Sequence, residues 1–145
     1  MDKPKPEKKI IGRSDIVDLP DLGVKNIHAK IDTGAYRSSI HCKKVRLEGE
    51  SLKFTLPTES NAKEYQTHDW ERKMIKSSNG ESQERFVIRT KIRLFGKDYK
   101  ASISLTDRSE MKNPLLIGRR MLKDRFIVDV SKKNLSYQEH SKTLK

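Results

Sequence analysis

Ile27-His28-Ala29-Lys30-Ile31-Asp32-Thr33-Gly34-Ala35 is the stretch whose reading sets the fold. Ile27, Ala29 and Ile31 alternate with His28 and Lys30, and that two-residue period belongs to a strand with one buried face. The strand runs directly into Asp32. Gly34 and Ala35 are small enough for another backbone to approach closely. A lone Asp-Thr-Gly is a weak signal, because an Asp turn closing a strand commonly gives the same tripeptide. Here a second segment supports it: Leu115-Leu116-Ile117-Gly118, a short apolar strand ending in glycine, lies more than 80 residues further on.

Outward from this centre the pattern stays β. Upstream, Ile10 to Leu19 is a β-branched run closed by the turn cluster Pro20-Asp21-Leu22-Gly23. Downstream, Ser39 to Leu47 reads as a strand, Glu48-Gly49-Glu50 as a turn, and Leu52, Phe54 and Leu56 alternate before a loop from Pro57 to Glu64. Arg72 to Lys76 and Arg85 to Leu94 flank Ser77-Ser78-Asn79-Gly80, where Asn-Gly suits a tight hairpin turn. Tyr99, Ala101, Ile103 and Leu105 give the cleanest alternation. A polar loop spans Thr106 to Asn113, one short helix is expected over Arg119 to Asp124, and Phe126, Val128 and Val130 form a closing strand. Many short strands separated by turns imply a small barrel or sandwich.

The chain has 145 residues, which suits one compact domain. With 36% charged and 33% hydrophobic residues the balance leans toward disorder, but the apolar residues are gathered in patterned runs that favour a folded domain. The reading divides the chain into a flexible basic arm at 1–9, a barrel domain at 10–137 and a polar tail at 138–145. No run approaches the roughly 18 apolar residues of a membrane span, and the Lys- and Pro-rich start has no apolar core, so a cytoplasmic location is expected. Cys42 is the single cysteine, which rules out an intramolecular disulfide and a cysteine-based zinc framework. Net charge is +12, from 32 Lys and Arg against 20 Asp and Glu. Such an excess attracts nucleic acid, anionic lipid or acidic polypeptide, although a solvated basic surface gives the same count. Trp70 and the four tyrosines form no RNA-recognition signature.

Ile31-Asp32-Thr33-Gly34-Ala35 resembles the active-site loop of the retropepsins, and Leu115-Leu116-Ile117-Gly118-Arg119 resembles the strand and following arginine that pack behind that loop. The similarity is closer to a bacterial family labelled ATP-dependent zinc proteases and regarded as retropepsin-like. Ile11-Gly12-Arg13, Leu19-Pro20-Asp21-Leu22-Gly23, Ala29 to Ala35 and Ser77-Ser78-Asn79-Gly80 carry this closer resemblance. Arg85-Phe86-Val87-Ile88, Leu105-Thr106-Asp107-Arg108 and Phe126-Ile127-Val128-Asp129 extend it, in order, over roughly residues 10–130.

The resemblance implies an all-β fold, a small closed barrel of the retropepsin or acid-protease type with one short helix. It implies an aspartic endopeptidase in which Asp32 is catalytic, Thr33 braces the loop across a two-fold axis and Gly34 admits the substrate backbone. Two carboxylates held about 3 Å apart cannot both ionise comfortably, so they share a proton and act as base and acid on a water. Their titration belongs to the pair. One Asp-Thr-Gly per chain means that the second Asp32 must come from another copy, and a C2 homodimer is expected. Ala35, Arg37, Arg119 and the hairpin-tip residues Ser77, Ser78, Asn79 and Gly80 are the expected substrate-binding set, with the hairpin from Arg72 to Ile88 closing as a flap.

Members of the resembled family occur beside, or fused to, ATP-grasp ligases that add glutamates to proteins, which suggests glutamate-rich peptide tails as substrate. Arg72, Lys73, Lys76 and Arg85, with Arg37, Arg119 and Arg120, would then supply a cationic groove. One departure stands out. Retropepsins place an acidic residue directly after Asp-Thr-Gly-Ala, paired with the arginine after the second glycine; here that position is Tyr36, followed by Arg37. No cofactor is expected. His28, His41, His68 and His140 are scattered with no His-Glu-x-x-His, neighbours such as His41 and Cys42 face opposite sides of a strand, and no phosphate-cradling loop is present. The alternative function is a catalytically silent β-barrel module that binds a polyanion, acidic protein or RNA.

Overall fold

The computed structural model describes residues 7–56, 63–76, 79–107 and 113–143, with side chains to His140. Most of the expected arm (1–6), Ser77 and Ser78 at the hairpin tip, most of the two polar loops and the last two residues lie outside the described residues. The element order is β1 Lys9–Ile11, β2 Ser14–Leu19, β3 Val24–Asp32, β4 Ser38–His41, β5 Lys43–Glu48, β6 Ser51–Thr55 and β7 Glu64–Thr67. It continues with β8 Trp70–Lys76, β9 Ser82–Leu94, β10 Lys97–Thr106, β11 Leu115–Gly118, α1 Arg119–Leu122, β12 Phe126–Val128 and α2 Leu135–Thr143.

Six strands close on themselves. β10 pairs with β4, β4 with β11, β11 with β3 and β3 with β2; β2 meets β9 at Asp18 and Arg93, and β9 returns antiparallel to β10. Closure removes the unpaired edges that an open sheet would expose. The all-β barrel expected from the sequence is the fold. β8 lies outside the ring on β9, β5-β6-β7 form a separate three-stranded sheet, and β1 pairs in parallel with β12. No helix among the described residues is long and apolar enough to cross a membrane.

The core follows the alternation. Val24, Ile27, Ala29 and Ile31 of β3 are buried, and they meet Ile40, Ile88, Ile92, Ile103, Leu115 and Ile117 from the other strands. The period in β3 slips by one residue between Val24 and Ile27. A register shift between Val17 and Leu19 absorbs it, with Asn26 at φ 56 and its N–H donating to Asp18 Oδ1 at 2.9 Å.

Three features differ from the sequence reading. The run from Ile10 to Leu19 breaks at Gly12, where the Lys132 backbone comes close enough that only glycine fits, and Lys9 to Ile11 pair with β12. The run from Ser39 to Leu47 breaks at Cys42, where the chain leaves the barrel for the three-stranded sheet. The fold also carries a second helix: the expected tail boundary at 138 falls inside α2. The buried carboxylate of Asp15 on β2 explains it, accepting from the N–H groups of Ser136 at 3.0 Å and Tyr137 at 3.1 Å. These are donors of the first turn of α2, which an acidic group stabilises.

Candidate active site

β11 runs parallel to β3 with Ile117 opposite Ile31 and Gly118 opposite Asp32. That register carries the chain past the Asp32 loop and ties it there: the Arg119 N–H donates to the Ala35 carbonyl at 2.8 Å, and the Arg120 N–H to the Tyr36 carbonyl at 3.0 Å. Gly118 has to be glycine, because a Cβ would lie 2.6 Å from the Arg37 carbonyl oxygen and 2.7 Å from that of Tyr36. Its N–H donates to the Oγ of buried Ser38 at 3.1 Å.

Asp32 is half-buried at the end of β3. The Gly34 N–H donates to its Oδ1 at 2.9 Å, which fixes the carboxylate plane, and the Ala35 N–H donates to the Asp32 carbonyl at 3.3 Å. Oδ2 accepts no hydrogen bond among the described residues, so it is the oxygen left for a water or a second carboxylate. Thr33 and Gly34 are exposed, and Arg119 Nη1 donates to their carbonyls at 3.4 and 3.2 Å. The guanidinium lies over the exposed Tyr36 ring, 5.6 Å from its centroid. The residue found where retropepsins carry an acid therefore engages the arginine after all, through a ring face instead of a carboxylate.

Arg37 follows at the edge of the loop. Its Nη1 is buried and has no acceptor among the described residues, a state that costs about 1–3 kcal/mol unless a carboxylate or carbonyl arrives. Asn79 and Gly80 stand at the hairpin tip, set there by the β8–β9 pairing from Trp70–Ile88 to Lys76–Ser82. Gly80 takes φ +89, and Asn79 Oδ1 accepts from the Glu81 N–H at 3.1 Å. Ser82 to Phe86 pair with β8 alone, so this end of the hairpin projects beyond the ring, and Arg85 Nη1 donates to Thr106 Oγ1 at 3.0 Å at its base.

Asp32, Thr33, Gly34, Ala35, Arg37 and Arg119 thus come together around one loop. Asn79 and Gly80 belong to a separate projecting element, and Ser77 and Ser78 lie outside the described residues. Sequence reasoning missed Ser38, whose role appears only once β4 and β11 pair, and the stacking of Tyr36. Among the described residues no three His, Cys, Asp or Glu side chains stand close enough to hold a metal ion. Burial pushes the Cys42 thiol far up from its ordinary value, and the His41 ring nitrogen Nδ1 lies 3.4 Å from the Thr106 carbonyl.

Comparison with known proteins agrees with this fold. A crystal structure of a Legionella pneumophila protein of unknown function matches with a TM-score of 0.70 and 27% identity, covering 90% of this chain and 99% of that one. A probable alpha-L-glutamate ligase of Shewanella pealeana is 37% identical over 132 residues, 86% of this chain but 29% of the relative. One of the same name from Desulfotalea psychrophila is 35% identical over 130 residues, 84% of this chain and 28% of the relative. The chain therefore spans less than a third of the length of these curated relatives. The model of a family described as RimB-like, retropepsin-like aspartic endopeptidase RimB, matches residues 10–139, a span that holds the closed ring, the Asp32 loop and the projecting hairpin. With both the fold and that match in hand, the chain belongs to the RimB-like family of retropepsin-like aspartic endopeptidases.

Proposed function

We propose that this chain is an aspartic endopeptidase that works as a C2 homodimer, pairing the Asp32 carboxylates of two copies around one water. One observation carries the reading: Asp32 is held by Gly34 through Oδ1 alone, on a loop braced by β11 and Arg119, with Oδ2 left over. In such a pair the two carboxylates share a proton. One takes a proton from water as it attacks the scissile carbonyl, and the other gives its proton to the carbonyl oxygen; as the C–N bond breaks, the first passes its proton to the departing amine and the second takes one back from a hydroxyl of the intermediate. Thr33 braces the loop across the two-fold axis, and Gly34 and Ala35 leave room for the substrate backbone. The projecting hairpin, tip residues Ser77 to Gly80 included, closes over the bound peptide as a flap.

The substrate proposed is a glutamate-rich peptide tail. Relatives that share this region carry the name alpha-L-glutamate ligase, which associates the fold with glutamate addition. The Arg37 guanidinium stands beside the loop with Nη1 unsatisfied, a group that pairs with carboxylates. The test is hydrolysis of peptides ending in a run of glutamates. Wild type is expected to cleave them and Asp32→Asn to lose all cleavage while melting at the same temperature. Cleavage that survives in purified Asp32→Asn sinks the reading.

A second reading, a silent polyanion-binding barrel, draws on the net charge of +12. It would take over if wild type bound acidic peptide or RNA with an affinity indifferent to Asp32→Asn and never cleaved a peptide.

A further inference from the structure

A cavity of about 480 Å³ opens on the barrel wall where β9, β10 and α1 meet. Arg89, Lys91, Lys100, Arg120 and Arg125 line it, against only Asp21 and Asp69. The Asp32 loop is not part of its lining; the two sites share the α1 segment, Arg119 bonding to the loop and Arg120 facing the cavity.

The charge here is arranged at a cost to the fold. Register sets Lys91 directly opposite Lys100 across β9 and β10, and like charges directly opposite destabilise a sheet. Two residues along, Arg93 faces Asp98 with Nε 2.8 Å from Oδ1, the settled arrangement for such a position. Asp69 is already engaged by Arg89 at 3.4 Å, and Arg89 also reaches Glu71 at 3.2 Å. Lys91, Lys100 and Arg120 have no ion-pair partner among the described residues. Thr90 lies between Arg89 and Lys91 in the lining, 7% exposed, and its Oγ1 has no hydrogen-bond partner among the described residues. Neighbours on a strand face opposite sides, so the Thr90 hydroxyl stands apart from this charge; the like-charged Lys91–Lys100 pair, on the Arg89 face, is what marks the cavity as a site for an anion.

We propose that this cavity is a second binding site, an exosite that holds carboxylate side chains of an acidic peptide. Spacing selects a peptide over a single compact anion. Arg89 and Lys91 stand two residues apart on one strand, a repeat of about 6.6–6.8 Å, and an extended peptide presents alternate side chains at the same repeat. The volume falls within the range of sites that enclose small ligands, enough for a few side chains but not a folded partner. The inference deepens the proposed function and rests on it for one point only, that peptide held here is delivered to Asp32.

Calorimetric titration of tetraglutamate into the Asp32→Asn chain reads binding without turnover, and its dependence on Lys100 isolates the exosite. Lys100→Glu converts the like-charged pair into an opposite pair, so this variant should melt no lower than its parent while binding tetraglutamate roughly tenfold or more weakly. Arg120→Ala should weaken binding in the same direction with the melting temperature unchanged. The proposal is overturned if tetraglutamate does not bind the parent, if Lys100→Glu and Arg120→Ala combined leave its affinity unchanged, or if tripolyphosphate alone occupies the cavity. Binding that depends on Lys100, together with a wild type that never cleaves, sinks the peptidase and keeps the exosite. Cleavage of acidic peptide that ignores Lys100→Glu does the reverse.

Discussion

The Arg119 guanidinium lies over the Tyr36 ring, 5.6 Å from its centroid, while its Nη1 donates to the carbonyls of Thr33 and Gly34. One side chain thus clamps the Asp32 loop from below and is itself held in place by an aromatic face. A ring leaves the guanidinium its donors, whereas a carboxylate would compete with the loop carbonyls for them.

Tyr36→Ala should therefore lower activity without unfolding the protein. An exposed cation–π contact is worth about 0.5–1 kcal/mol, and losing it frees Arg119 to leave the loop. Arg119→Ala removes the donor itself and should cost about 1–2 kcal/mol of stability with a larger fall in kcat/KM. Urea midpoints and peptide hydrolysis on the two variants check this; a larger loss of activity in Tyr36→Ala than in Arg119→Ala would mean that Tyr36 does more than hold Arg119.

Gly118 and Gly34 should separate stability from activity. An alanine Cβ at 118 would sit 2.6 Å from the Arg37 carbonyl oxygen, where only backbone can give way, and overpacking of that kind costs about 1–3 kcal/mol or more. At 34 the Cβ would lie 3.2 Å from Asp32 Oδ1, so a side chain gives way instead. Gly118→Ala should lower the melting temperature sharply. Gly34→Ala should melt near wild type and hydrolyse poorly, because the carboxylate has turned.

Much of this was legible in the sequence, and the reason is local. Strand alternation at Ile27, Ala29 and Ile31 and the paired segments ending in Asp32 and Gly118 are properties of neighbours along the chain. What stayed hidden depends on residues far apart in sequence. α2 looks like a polar tail until Asp15, 121 residues earlier, is seen to accept from Ser136. Lys91 and Lys100 become a like-charged pair only when the β9–β10 register is known. Ser38 matters only because β11 returns beside β4.

Asp15 gives the fold a pH dependence whose sign is set by burial. Desolvation raises its carboxyl pKa above the ordinary 3.8, although the N–H groups of Ser136, Ile16 and Tyr137 pull it down. A group whose folded pKa is raised contributes its stability in full below the unfolded value and loses it as pH rises through the folded value. Asp15→Asn cannot ionise, so the urea midpoint of wild type relative to this variant should fall as pH is raised from below 3.8 through the raised folded value, then level off. Asp15→Ala should be less stable across the whole range by about 1–3 kcal/mol, since it leaves the buried Ser136 N–H without an acceptor. A flat difference between wild type and Asp15→Asn would mean that the three N–H donors offset burial.

The homodimer is tested most directly by mixing chains. Each copy brings one Asp-Thr-Gly, so an active dimer needs two intact Asp32 carboxylates. If wild type and Asp32→Asn chains are refolded together in equal amounts, random pairing leaves about one dimer in four fully wild type. Hydrolysis should then fall to about a quarter of that of an all-wild-type sample at the same total concentration. A chain that acted alone would keep about half. The dependence on composition also separates the two outcomes at other ratios, because paired sites scale with the square of the wild-type fraction and independent sites scale linearly. A linear result with undiminished cleavage would remove the second Asp32 from the mechanism and require another acid near the loop to take its place.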